Sequence, residues 1–209
     1  MSKIVLIIGK SGSGKSFSLK NLEKETSAII CPMPKGLPFR NDLDRIVTPD
    51  HAKISRSLKK AAEAGRKLIV IDDFQYVMVK EFMDRVNEKG FQKFNDIAAH
   101  AYEIVTTASS LADDVVVYFL CHSEEDDLTG RQRMKTIGKL LDNTVDLQGM
   151  FDVVLLAKNK DGEHYFKTES DGDEVDSVKA PQDMFQESKV SNNINYINKT
   201  ILGYYNEEK

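Results

Sequence analysis

Cysteine is scarce in this 209-residue chain: there are two, Cys31 and Cys121. So few thiols exclude a disulfide framework. Both lie in apolar stretches that read as strands, where a free cysteine behaves as a small buried hydrophobe in a reducing compartment. A bridge between them would need neighbouring strands. Long apolar runs are missing too. The run before the first glycine is too short for a signal-peptide core, and no segment approaches the ~20 residues of a membrane span. A cytoplasmic protein with no membrane partner is the expectation. Positive charge is not in excess, because 29 Lys and Arg stand against 33 Asp and Glu, a formal net charge of −4. Such a chain has no global field for nucleic acid, so a partner of that kind has to be held by a local basic patch. Internal repeats and long linkers are absent, and His51, His100 and His164 show no metal-ligand spacing.

What is present suits a globular α/β protein: 41% hydrophobic and 30% charged residues, at a length that fits one domain over 1–209. The runs KIVLII (3–8), SAIIC (27–31), LIVI (68–71), VVVYFLC (115–121) and FDVVLLA (151–157) are continuous rather than alternating, the mark of strands buried on both faces. Helical patterns over 17–24, 50–64, 80–111 (interrupted near Gly90) and 192–205 fall between or after them. The segment 33–49, rich in proline, reads as loop. Asp161-Gly162 predicts a hairpin turn into 165–168. Strands alternating with helices imply a mainly parallel sheet flanked by helices, with an antiparallel hairpin near the C-terminus. The acidic run 170–174 lacks the full spacing of a calcium loop and reads as a solvated turn.

The sharpest motif is Gly9-Lys10-Ser11-Gly12-Ser13-Gly14-Lys15-Ser16, which fits G-x-x-x-x-G-K-S with a strand before it and a helical pattern after it. Glycines let the backbone wrap an anion with its N–H groups pointing inward, and a following helix would add its positive end. Lys15 is placed to reach β- and γ-phosphates, and the Ser16 hydroxyl to take a Mg²⁺ position. ATP with Mg²⁺ is the expected ligand.

A second acidic site follows LIVI. In open α/β sheets ligands sit beyond the carboxyl ends of strands, and a hard cation needs an oxygen partner there, so Asp72 is the second metal residue. Asp73 is a candidate to orient or deprotonate the attacking water. His122, Ser123 and Glu124 follow the fourth strand at the corresponding end. His122 is a candidate sensor of the γ-phosphate, and Glu124 a rival base; the bland alternative for His122 is an ordinary half-buried histidine.

One basic patch stands out, Gly130-Arg131-Gln132-Arg133-Met134-Lys135-Thr136-Ile137-Gly138-Lys139. It could grip a nucleic-acid backbone, or Lys135 or Lys139 could reach a neighbouring subunit's γ-phosphate. A solvated loop is the alternative, and the absence of aromatics for base stacking weakens a strong single-strand grip.

The order of motifs also carries a resemblance. It rests on GKSGSGKS (9–16), KGLPFR (35–40), IDDFQYVM (71–78), EFMDR (81–85), KFNDIAAHAYE (93–103), CHSE (121–124), KTIGKLLD (135–142), LQGMFDVVL (147–155) and the ending NNINYINKTILGYY. Taken together the chain resembles phage nucleotide-binding proteins of the RecA-like, Sak-four type, which accompany recombination and single-strand annealing. The resemblance implies a RecA-like P-loop core, ATP and Mg²⁺, single-stranded DNA binding influenced by ATP, and a homo-oligomer with nucleotide near the subunit boundary. It also implies a place in the host cytoplasm beside a phage recombinase, annealase or single-strand-binding protein. By motif, Lys15 and Ser16 contact phosphate and metal, Asp72 is the second acid, His122 and Ser123 occupy the sensor strand end, and Lys135 and Lys139 fall in a finger or DNA loop. One departure counts: RecA has a glutamate base after its second strand, where this chain has Cys31-Pro32-Met33, so a weak ATPase is expected. A small-molecule or nucleotide kinase with a basic lid, and a non-hydrolysing ATP switch for a partner protein, are the rival readings.

Overall fold

The unbroken apolar runs become strands covered on both faces. The computed structural model describes residues 1–125, 130, 132–142, 144–170 and 177–207. Its strands are β1 (Lys3–Gly9), β2 (Ser27–Cys31), β3 (Arg45–Val47), β4 (Leu68–Ile71), β5 (Val116–Glu125), β6 (Gln132–Met134), β7 (Val153–Lys160), β8 (Glu163–Lys167) and β9 (Lys189–Ser191). The main path runs β3-β2-β4-β5-β1-β7-β8-β9. Every pair from β3 to β7 along it is parallel, while β8 and β9 add on antiparallel, as the Asp161-Gly162 hairpin predicts. β6 pairs antiparallel with the far end of β5.

Alternation along each strand sends side chains to two separate cores. Leu6, Ile8, Ile69, Ile71, Phe119 and Cys121 face one side, with α1 (His51–Glu63), α2 (Gln75–Asp84) and α3 (Gln92–Ser109) packed over them. Val5, Ile7, Val70, Tyr118 and Leu120 face the other, under a 3₁₀ helix (Ser16–Asn21) and the terminal helix. A short α4 (Lys139–Asp142) follows β6, and α5 (Ile194–Glu207) is the terminal helix. Helix α1 shows the local logic. Asp50 caps it by accepting from the Lys53 amide at 2.8 Å, Ile54, Leu58 and Ala61 form its buried stripe, and Gly65 leaves it with φ +82, a conformation glycine adopts without penalty.

Four expectations need correction. The segment 33–49 is not all loop, because Arg45–Val47 pair with β2 as an edge strand; three exposed residues carry no apolar pattern, and β2 supplies the partner. Helix α2 starts at Gln75 rather than near 80. The helical pattern over 17–24 is six residues of 3₁₀ helix that ends when Leu22 turns extended. β5 runs on through Glu125 because β6 gives it a partner, so His122, Ser123 and Glu124 lie within a strand rather than beyond its end. Cys31 and Cys121 are free and buried, on strands separated by β4. Burial lifts their thiols to about 11 and about 12, as expected of inert buried cysteines. Of the described helices, none is long and apolar enough to cross a membrane. The acidic run at 171–174 lies outside the described residues.

Candidate functional site

The strand order gathers the polar residues that the sequence scatters. β5 lies between β1 and β4, with Gly9 in register with His122, so the carboxyl ends of three adjacent strands deliver the glycine loop, His122 and the Asp72-Asp73 pair to one place. The loop has the backbone its glycines were expected to permit: Gly12 has φ +76 and Gly14 φ +100. Gly9 is needed for close approach, since a Cβ there would sit 2.5 Å from the Ser13 hydroxyl and 2.7 Å from the Ala157 carbonyl. Among the described residues, the amides of Gly12, Gly14 and Lys15 donate to no protein acceptor. A cavity of about 340 Å³ runs along Lys10, Ser11, Gly12 and Ser13 against the end of β7. A larger one, about 620 Å³, lies apart between β6 and Lys179 and holds none of the phosphate-loop residues.

Lys15 is buried and folded back on its own loop, donating to the carbonyls of Gly9 (2.7 Å) and Lys10 (3.0 Å). Burial holds its pKa below the usual lysine range, against the pull of Asp73. A cation in that position is short of counter-charge. Ser16 donates its hydroxyl to Asp72 Oδ1 at 2.9 Å, joining the two residues expected to share a metal. Burial, and after it the neighbouring Asp73, raises the Asp72 pKa, so this carboxylate too lacks a full partner. Two buried side-chain atoms nearby, Ser13 Oγ and Gln75 Nε2, make no hydrogen bond. Donor amides, an under-neutralised ammonium, a hydroxyl–carboxylate pair and orphaned polar atoms together fit a phosphate chain with a divalent cation.

Asp73 stands differently. It is 3% exposed, adopts φ +63, and is held by an ion pair with Lys35 Nζ. His122 Nε2 lies 3.5 Å from its other oxygen. Burial, and then Lys15, lowers the His122 pKa, which favours the neutral ring. The His122 amide donates to Gln75 Oε1 at 3.1 Å, which ties His122 to the first turn of α2.

Three residues of this cluster were given no role by sequence reasoning. Lys35 sits in a proline-rich segment whose path the sequence does not disclose, and its signal was one of the two basic residues, with Arg40, in the KGLPFR motif. Gln75 looked like the middle of IDDFQYVM. His164, from β8, packs under the loop where a Cβ on Gly14 would meet its Nδ1 at 2.7 Å, and it lies 5.3 Å from the Phe17 ring.

The remaining candidates lie elsewhere. Glu124 pairs with Arg133 at 3.0 Å rather than joining Lys15, Asp72 and Asp73. The basic segment is less free than it looked, since Arg133 also reaches Asp142 at 3.7 Å. Those acids are close in space and not in the segment. Lys10 extends to Glu125 at 2.9 Å, which pins the glycine loop to the β5–β6 hairpin. Lys135 has an exposed side chain, and its amide donates to the His122 carbonyl at 2.8 Å. Lys139 begins α4, but its side chain, like Arg131, lies outside the described set. His51 and His100 stack at 3.7 Å and pair with Glu103 and Glu81. No group of three or more metal-capable residues occurs among the described residues.

A mainly parallel sheet in this order, helices on both faces and a glycine loop leaving the strand next to β5 define a RecA-like P-loop α/β core. A solved structure agrees: a KaiC-like protein from the hyperthermophilic archaeon Pyrococcus horikoshii superposes with a TM-score of 0.50 at 11% identity, covering 87% of this chain and 80% of that one. At such identity the likeness speaks for the fold. No family model and no curated protein matches the chain.

Proposed function

We propose that the protein binds ATP with Mg²⁺, hydrolyses it slowly, and uses its nucleotide state to control single-stranded DNA binding and self-assembly in phage recombination or strand annealing. The observation that carries the nucleotide reading is the Ser16–Asp72 hydrogen bond beside an under-neutralised Lys15. In this reading the loop amides and Lys15 hold the phosphate chain. Ser16 and Asp72 hold Mg²⁺, which when bound offsets phosphate charge and polarises the reacting phosphoryl group. Asp73, the carboxylate beside Asp72 that is not assigned to the metal, takes the attacking water in this reading. The water oxygen bonds to the γ-phosphorus, its proton passes to an Asp73 oxygen, and the bridging oxygen leaves with ADP and the bond's electron pair. In this reading His122, hydrogen-bonded through its amide to Gln75 of α2, passes the loss of the γ-phosphate to the strand end and to the segment at Lys135.

The DNA part of the proposal rests on the resemblance of motifs and on the exposed Lys135, with Lys139 one turn away in chain position. Partner recombination proteins, a homo-oligomer and a host-cytoplasmic setting come from the same resemblance. Measuring ATP turnover with and without single-stranded DNA tests it: stimulation by DNA is expected. Transfer of phosphate to a nucleoside monophosphate would replace it with a kinase, and tight ATP binding without turnover in either condition would replace it with a switch.

A further inference from the structure

We infer that Lys35 is a brake on hydrolysis: its ion pair with Asp73 holds the only second carboxylate of the described site away from water activation, without taking part in nucleotide binding. This rests on the hydrolytic reading above and adds its regulation. Lys35 holds one Asp73 oxygen in an ion pair, and His122 Nε2 stands 3.5 Å from the other. An oxygen that an ammonium group already occupies is not open to a water molecule. The backbone adds to this. Asp73 sits in the left-handed region at φ +63, so the turn between β4 and α2 sets the direction of its Cα–Cβ bond, and burial confines the carboxylate.

Lys35 differs from Lys15 in ways that suit a movable part. Its side chain is 48% exposed while that of Asp73 is 5% exposed, and it comes from the irregular segment after β2 rather than from the glycine loop. At Lys35 the segment is tied to the sheet edge by Arg45, the first residue of β3, which donates to the Lys35 carbonyl at 2.8 Å, while Leu37, Phe39 and Leu43 further along pack against the core. β3 is the exposed edge of the sheet. Displacement of β3 or of Arg45 therefore reaches Asp73 through a single intervening residue. Release of Lys35 frees the Asp73 oxygen and raises turnover without touching the phosphates.

The experiment compares the full chain with Lys35→Ala, Lys35→Met and Lys35→Arg. ATP–Mg²⁺ affinity is measured by calorimetry, steady-state hydrolysis is split into kcat and KM, and the His122 titration is followed by NMR without nucleotide. For Ala and Met we expect kcat to rise about tenfold (a barrier change of ~1.4 kcal/mol) at unchanged affinity and KM. Lys35→Arg should return kcat to the parental value, and Asp73→Asn should abolish the gain in either background. The His122 midpoint should move up in both uncharged variants, because the Lys35 charge helps to hold it down. Unchanged or reduced kcat in both uncharged variants overturns the brake, and so does loss of ATP affinity, which would make Lys35 a phosphate ligand. Parental turnover without a gain on substitution removes the brake alone; ATP bound but hydrolysed by no variant removes the hydrolytic reading with it.

Discussion

The two halves of the site are built on opposite plans. The glycine loop with Ser16 and Asp72 is under-satisfied: amides without acceptors, a buried lysine on its own carbonyls, and a carboxylate whose pKa is raised by burial. In the Lys35–Asp73–His122 cluster the buried carboxylate is answered by the Lys35 ammonium, with the His122 ring beside it. Groups left short of partners gain when a charged ligand arrives, whereas groups already paired lose something when they are put to work. The contrast assigns gripping to the first half and restrained chemistry to the second.

The largest effect should come from the gripping half. Lys15→Ala should lower ATP affinity several-hundredfold, about 3–4 kcal/mol, since the phosphate chain would lose its buried cation. Calorimetry checks it, and undiminished binding would dissolve the contrast. Asp73→Asn should act on the other quantity. We expect kcat to fall on the order of 10²-fold with ATP affinity intact, measured by steady-state turnover; a matching loss of affinity would make the two halves one.

The pH dependence of binding sharpens the same comparison. Asp72 must be ionised to hold Mg²⁺, and burial with the neighbouring Asp73 raises its pKa. Mg²⁺-dependent affinity is then complete above that raised pKa and falls on acidification at a higher pH than an ordinary aspartate would give, with a limiting slope of about tenfold per pH unit. Lys15 must be charged, and burial lowers its pKa, so affinity should also fall on the alkaline side below the usual lysine range. Titrating affinity against pH should give a plateau narrowed from both ends; a plateau as wide as free aspartate and lysine allow would contradict both shifts. The smallest effect concerns DNA. If Lys135 and Lys139 each neutralise one phosphate, the double alanine variant should bind single strands with a log–log salt slope shallower by about 1.4, at unchanged ATP affinity. An unaltered slope would take the basic segment out of DNA binding.

Legibility followed the range of the physics. The glycine loop was readable because its chemistry is local: eight consecutive residues contain their own turn, donors and cation. The buried strands were readable because continuous Ile, Val and Leu have few other places to go. Asp72 was readable from its place at the end of LIVI. β3 was not, since Arg45–Val47 are exposed and owe their strand state to β2. Glu124 was misplaced because β6, a three-residue strand with no pattern of its own, extends β5 and brings Arg133 across from it. Lys35 escaped notice because 38 residues separate it from Asp73.

By itself, then, the order of residues determined an α/β chain with a phosphate-type loop after its first strand and an acid after its strand at 68–71, for each of these depends on neighbours a few positions apart. Only the tertiary structure decided which strands are adjacent, and with that whether a charge is answered. β5 between β1 and β4 brings His122 to Asp73, and the segment after β2 carries Lys35 there. Electrostatic pairing acts over a few ångströms in space and is indifferent to distance along the chain.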